Sequence, residues 1–329
     1  MNRRHFAALL LVASLAACTQ PATPAPGAPV SVRLGFSAWP GWFPWQVAEE
    51  QGLFAKNNLT VNLTYFDSYT DSLTALATGN LDANSQTLND TLSSVSGGAK
   101  QTIVLVNDNS TGNDQIIARD GISSVADLKG KKVAAEQGTV DHYLLLLALE
   151  RAGLSEADIQ FTPLLTDAAA AAFAAGQVDA VGVFAPFTTA ALGRPGSRAI
   201  ATSKDFPGAI PDHLVFGSAF VRDHPTEVQA LVQTWFDTLD WIKANPDRAI
   251  DIMAAKAGVT SADYRTYDSG TTIFTRADNL AAFSSGSTPA NLDFQAGKIA
   301  DFLVGTKLVA TKPSLDGLLD DRFVKAAAS

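Results

Sequence analysis

Three of the chain's five tryptophans, Trp39, Trp42 and Trp45, fall within seven residues, with Pro40, Gly41 and Pro44 between them. Flat indole faces on a stiff loop suit stacking on a planar molecule and attraction of a cation. The same rings would also serve as an apolar plug at a helix entry. Five further segments place polar or aromatic groups beside apolar runs. They carry Gln86, Asn89 and Asp90; Asp108 and Asp114; Glu136, Thr139 and Asp141; Phe184, ahead of Pro186; and Asp212. None of the six segments contains Lys or Arg. Carboxylates and amide oxygens accept hydrogen bonds, so the chemistry indicated is capture of an N–H-bearing ligand. Catalysis finds little support. The chain has one Cys, and its four His (5, 142, 213 and 224) lack metal-ligand spacing. No nucleophile elbow, phosphate-binding Gly loop or ordered Ser/His/Asp set is present.

Each candidate also has a local alternative. Thr87-x-x-Asp90 is a capping box, so Asp90 either caps a helix or reaches a ligand. Thr139 can cap the helix it opens, and Asp141 can complement that helix's positive end. Asp108, directly after an apolar strand and so the better candidate of the Asp108 and Asp114 pair, can lie in a solvated loop; Phe184 can pack at a strand end, and Asp212 can serve a turn.

The elements that must position these groups alternate. Strands are expected at 31–36, 59–66, 81–85, 102–106, 132–135, 159–164 and 180–184. Helices are expected at 46–55, 68–78, 87–95, 140–152 and 167–175. This order predicts an α/β fold with mostly parallel sheets. Past residue 218 helices dominate: 225–245, 247–256, 292–303 and a last one near 318–327.

The first 30 residues read differently. Arg3 and Arg4 precede a short apolar run, and Leu15-Ala16-Ala17-Cys18 resembles the lipobox of a bacterial lipoprotein signal. The expectation is a signal peptide over 1–18 and lipidation of Cys18, against an ordinary signal peptide with an incidental Cys. Residues 19–30, rich in Pro, Ala and Thr, then form a tether. The net charge of −9 argues against nucleic acid as a partner.

Four blocks in order carry a wider resemblance: VAEEQGLF at 47–54, LATGNLDA at 76–83, DLKGKKV at 127–133 and AGQVDA at 175–180. Together they resemble the periplasmic solute-binding proteins of nitrate/taurine/sulfonate-type ABC importers, the NMT1/THI5-like fold. The resemblance implies a type II periplasmic-binding fold, with two α/β lobes joined by a two-strand hinge and a ligand cleft between them. Lobe 1 would comprise 31–111 and 215–329, and lobe 2 residues 112–214. The crossings would fall near 107–113 and 213–218. It also implies a helix N-terminus at Thr139 facing the ligand, an ABC permease as partner, an extracytoplasmic site of action and no cofactor. A monomer is expected, touching the membrane only through its lipid.

Charge then selects among ligands. A cleft built from these segments is acidic, so a small planar cation of guanidinium type fits better than a sulfonate or nitrate. A pyrimidine-type ligand is planar too and stays open. The helix end at Thr139 speaks for an anion. A pyrimidine-synthase activity of the fungal relatives is not expected, because their Cys-rich motif is missing.

Overall fold

The structure, a computed structural model, describes residues 30–327. The expected signal segment, Cys18 and the tether up to residue 29 lie outside them. The chain opens with β1 (Ser31–Ser37), α1 (Pro44–Glu50), α2 (Leu53–Lys56), β2 (Thr60–Phe66) and α3 (Tyr69–Ala77). β3 (Ala83–Thr87), α4 (Leu88–Ser96) and β4 (Gln101–Ser110) complete this part. The middle of the chain supplies β5 (Asp114–Ala118), β6 (Lys132–Ala135), α5 (Val140–Arg151), β7 (Gln160–Pro163) and α6 (Thr166–Ala174). β8 (Ala180–Phe184), α7 (Phe187–Leu192) and β9 (Arg198–Thr202) follow. The chain returns through β10 (Pro211–Gly217) to α8 (Ser218–Asp223), α9 (Pro225–Ala244), α10 (Pro246–Ala257) and α11 (Ser261–Arg265). It ends in β11 (Thr271–Ile273), α12 (Arg276–Phe283), α13 (Leu292–Gly305) and α14 (Arg322–Ala327).

Two sheets result, in the orders β11-β4-β10-β3-β1-β2 and β7-β6-β8-β5-β9. Each centres one α/β lobe. Both sheets are mixed, which corrects the expectation of mostly parallel ones. β1 pairs in parallel with β2 and β3, and β6 with β7 and β8; β10 and β5 run antiparallel to every neighbour. These are the strands that return from the other lobe or enter it, so they run against the strands laid down by helical crossovers. β10 already pairs with the first sheet at Pro211. The second crossing therefore falls ahead of Pro211, earlier than the 213–218 expected.

Local chemistry accounts for most boundaries. The helix expected over 46–55 breaks in two at Gly52, whose φ of +64° favours glycine. Ser68 caps α3 by accepting from the Asp71 N–H at 3.2 Å, and Thr87 likewise caps α4. Along α9, Val228, Leu231, Val232, Trp235 and Phe236 form a buried face. Trp235 meets Trp45 at 4.7 Å between ring centroids. Trp45 is thus a core residue, with its indole N–H on Ser85 Oγ at 2.9 Å.

The sequence places a polar crossing after residue 106, yet β4 continues to Ser110 and all ten of its residues are buried. The reason is β11, which pairs with Asp108, Asn109 and Ser110 and satisfies their backbone. Asp108 is thereby carried into the interior on a central strand.

Candidate functional site

The Trp loop, the C-terminal ends of β3 and β4, the start of β10 and the N-terminus of α5 converge between the lobes. They enclose a narrow cavity of about 10 Å³, the room of about one water molecule. Trp39, Trp42, Tyr69 and Phe184 form its aromatic walls, and Asp114 and Asp212 its polar ones. Trp42 lies 5.4 Å from Tyr69, and Phe184 meets Trp39 edge-on at 6.3 Å between ring centroids. Seating a larger ligand takes a small outward movement of one lobe, which a two-strand hinge permits.

Carboxyls dominate the surroundings. Asp90, Asp108, Asp114, Glu136, Asp141 and Asp212 are all at most 4% exposed. No Lys, Arg or His lines the cavity. Trp39 Nε1 donates to Asp108 Oδ1 at 2.9 Å. Asp108 and Asp212 face each other directly across β4 and β10. Burial raises both, and the charge of Asp108 raises Asp212 further. Burial pushes Asp90 and Asp114 up to about 7, with the nearby Glu136 adding to Asp90, against partial compensation from Thr87 and Tyr69 at Asp90 and from Ser110 at Asp114. Asp141 stands well above the ordinary range for the same reason.

Hydrogen-bond accounting locates one proton independently. The Thr166 hydroxyl lies 2.7 Å from Glu136 Oε2 and 2.6 Å from Asp141 Oδ2. A hydroxyl has one hydrogen to give, so one of the two carboxyls must itself donate to Thr166. Buried Asp141 fills that role. Five carboxylate oxygens receive no donor from the described residues: Asp108 Oδ2, Asp114 Oδ2, Asp141 Oδ1 and both oxygens of Asp212. The Trp42 indole N–H is also unpartnered.

The sequence-predicted residues fall into three sets. Trp39, Trp42, Phe184 and Asp212 line the cavity or reach across it, and Asp108 and Asp141 stand directly behind that lining with free oxygens. Asp90, Asn89, Glu136 and Thr139 are buried nearby but engaged. Asn89 Nδ2 donates to Asp90 Oδ1 at 2.9 Å, and Thr87 donates to Asp90 Oδ2 at 2.7 Å. The Val140 N–H at the start of α5 also stabilises the Asp90 carboxylate. Glu136 ties the lobes together: it accepts from the Thr70 hydroxyl of α3 and from the Thr166 N–H at 3.1 Å. The Thr139 hydroxyl turns back to the Glu136 carbonyl at 2.9 Å, so it neither caps α5 nor faces the cavity. Gln86 forms the third set and corrects the expectation of a ligand contact. Its amide bonds Thr91 at 2.9 Å and Gln101 at 3.3 Å. Successive strand residues face opposite sides, so with Thr87 at the cavity Gln86 points away.

Sequence reasoning missed Tyr69, Thr87, Val140 and Ile210 as lining and chose Asp108 over Asp114. Parity along β3 would have found Thr87. Tyr69 gave no signal beyond following a cap.

Gly41 allows the loop to close on Asp108, because a Cβ there would run into the Asp108 carboxyl. Gly41→Ala is expected to cost about 1–3 kcal/mol of stability and to weaken ligand binding at least tenfold. Thermal unfolding and calorimetry check both; an unchanged affinity would detach the loop from the site.

Comparison with known proteins gives a consistent result. The NMT1-like family profile matches residues 25–257. A binding protein of Brucella abortus strain 2308, named without a ligand, is 32% identical over 272 residues, covering 81% of this chain and 82% of its own. The taurine-binding periplasmic protein of Escherichia coli K12 is 26% identical over 259 residues, covering 76% and 81%. The alkanesulfonate-binding protein SsuA of Xanthomonas axonopodis pv. citri, solved with MOPS, superposes with a TM-score of 0.76 at 22% identity, covering 89% of this chain and 99% of its own.

Proposed function

Because this chain belongs to the NMT1-like family, we propose that it is the solute-binding protein of an ABC importer and that its cargo is a small planar cation of guanidinium type. Its named relatives are binding proteins, and the protein is one of them: two lobes close on a small molecule and present it to a permease. A periplasmic place of action follows that of the taurine-binding relative. Among the described residues no helix is long and apolar enough to cross a membrane. A lipid at Cys18 would hold the domain beside its permease.

The observation that carries the ligand reading is an aromatic-walled cavity lined by Asp114 and Asp212, three of whose oxygens receive no donor, with two more such oxygens on the adjacent Asp108 and Asp141. An anion such as a sulfonate would find no Lys, Arg or His in the lining to pair with, and would oppose ionisation of Asp114 and Asp212. Guanidinium offers N–H donors around its whole edge in a plane that carboxylates match, and its faces suit indole rings. A bare metal ion fits less well. No group of three or more His, Cys, Asp or Glu among the described residues is placed to hold one.

Four heavy atoms at a ceiling of about −1.5 kcal/mol each give about −6 kcal/mol, a Kd of tens of micromolar. Desolvated charge pairs in the closed cleft would tighten this. The free Trp42 N–H favours one second reading, a pyrimidine-type ligand, whose ring nitrogen would accept from it. Titration calorimetry of the protein against guanidinium chloride, taurine, nitrate and a hydroxymethylpyrimidine separates the readings. Heat with guanidinium alone is expected. Heat with taurine or nitrate would overturn the cation reading, and heat with the pyrimidine alone would replace it with the second.

A further inference from the structure

Beside the inner cavity lies a larger chamber of about 160 Å³. Ala38, Tyr69 and Phe184 line both spaces, so the Tyr69–Phe184 pair, 6.2 Å between ring centroids, stands where they adjoin. The inner cavity suits a compact planar head group. The chamber is large enough for several further non-hydrogen atoms. Leu165 and Phe187 give it apolar wall, and Leu165 is 49% exposed, a large apolar side chain that no core packing explains. Two observations fix its polarity. Ser37 Oγ lines it, is buried and has no hydrogen-bond partner. Asp67 and Asp167, one from each lobe, stand exposed on its rim, and no Lys, Arg or His lines it.

We propose that the natural ligand is a guanidinium-type cation bearing a short arm, and that the arm crosses this chamber to end in an ammonium group between Asp67, Asp167 and Ser37. The inference rests on the cation reading of the inner cavity and deepens it. The arm's methylenes lie along Leu165 and Phe187, where burial is favourable. The terminal ammonium donates to the Ser37 hydroxyl and to the rim carboxylates, which act mainly as charge at an exposed position. Closure of the lobes brings Asp67 and Asp167 to the same arm, so a ligand spanning both spaces favours the closed state more than a bare head group does.

Calorimetry on the intact chain with guanidinium, ethylguanidinium and 4-aminobutylguanidine tests this, on the parent and on an Asp67→Asn/Asp167→Asn double variant. Both substitutions are at exposed positions and leave the fold intact. The parent is expected to bind the amine-bearing ligand at least tenfold tighter than either of the others. In the double variant that advantage falls to threefold or less while guanidinium affinity holds. Equal or tighter binding of bare guanidinium by the parent overturns the inference and leaves the cation reading standing. An advantage that survives in the double variant also overturns it, because the rim then plays no part. Silence with all three ligands overturns both.

Discussion

Asp212→Asn is expected to weaken guanidinium binding by at least about thirty-fold and, in the same protein, to raise its melting temperature at pH 8. Both effects follow from the lack of any donor to either Asp212 oxygen. Truncating one partner of a buried, hydrogen-bonded charge pair costs about 2–5 kcal/mol of binding, which sets the lower bound. Without ligand, burial and the neighbouring Asp108 oppose ionisation of the same carboxyl, and a neutral amide of equal size avoids the cost of keeping it protonated or charged at pH 8. Calorimetry and thermal unfolding read the two effects side by side. A purely structural Asp212 would move them together, with stability and binding both lost, and that outcome would remove Asp212 from the site.

Affinity for a cation is expected to rise about tenfold between pH 6 and pH 8 for each proton that binding expels. Asp90 and Asp114 titrate near 7 because they are buried, and burial raises Asp141 and Asp212 well above the usual carboxylate range as well. Asp108 and Glu136 are the other ionisable carboxyls facing this space, and no basic side chain lines it. At pH 6 a cation must displace protons to find charge; at pH 8 fewer remain. Stability without ligand runs the other way. Each raised carboxyl binds a proton in the folded state where the unfolded chain has already lost it. Its contribution is therefore present below the unfolded value near 3.8 and declines as pH rises through about 7. The melting temperature should fall over the window in which affinity grows. Calorimetry in two buffers of different ionisation heat counts the protons. Equal apparent heats in both, with a flat affinity profile, would mean that the carboxyls do not meet the ligand.

The sequence made the main framework legible where elements are long and locally signalled. Ser68 and Thr87 cap as their spacing predicts, and β8 runs over the residues expected of it. Some short elements escaped: α7, β9 and β11 are three to six residues long and carry no clear period. Missing β11 had a consequence, since it holds the polar end of β4 inside. Without it, Asn107 to Ser110 read as a solvated crossing. The acidic character of the site was readable from the absence of Lys and Arg in six segments. The assignment of individual groups was not. Asp90 reads as either cap or site residue, yet its N–H donates to the oxygen of the Thr87 cap while its carboxyl sits in the buried cluster. Glu136 joins the lobes because Thr70, 66 residues earlier in the chain, comes to meet it, and no local pattern encodes such a meeting.

The N-terminus of α5 gains a different meaning from its partner. A helix start with free N–H groups is a place where small anions settle. Here the Val140 N–H is answered by Asp90, a carboxylate carried on α4 of the other lobe. The anion that such a helix end attracts is thus part of the polypeptide and cannot leave. A covalently held occupant answers the positive pole to the extent that Asp90, pushed up to about 7 by burial, is ionised, and its neighbours then set the field that an incoming molecule meets. On the cation reading, one fixed counter-ion reverses the sign of acceptable cargo without any change of backbone. The same pairing draws the lobes together before cargo arrives, so part of the drive for closure is already built into the protein.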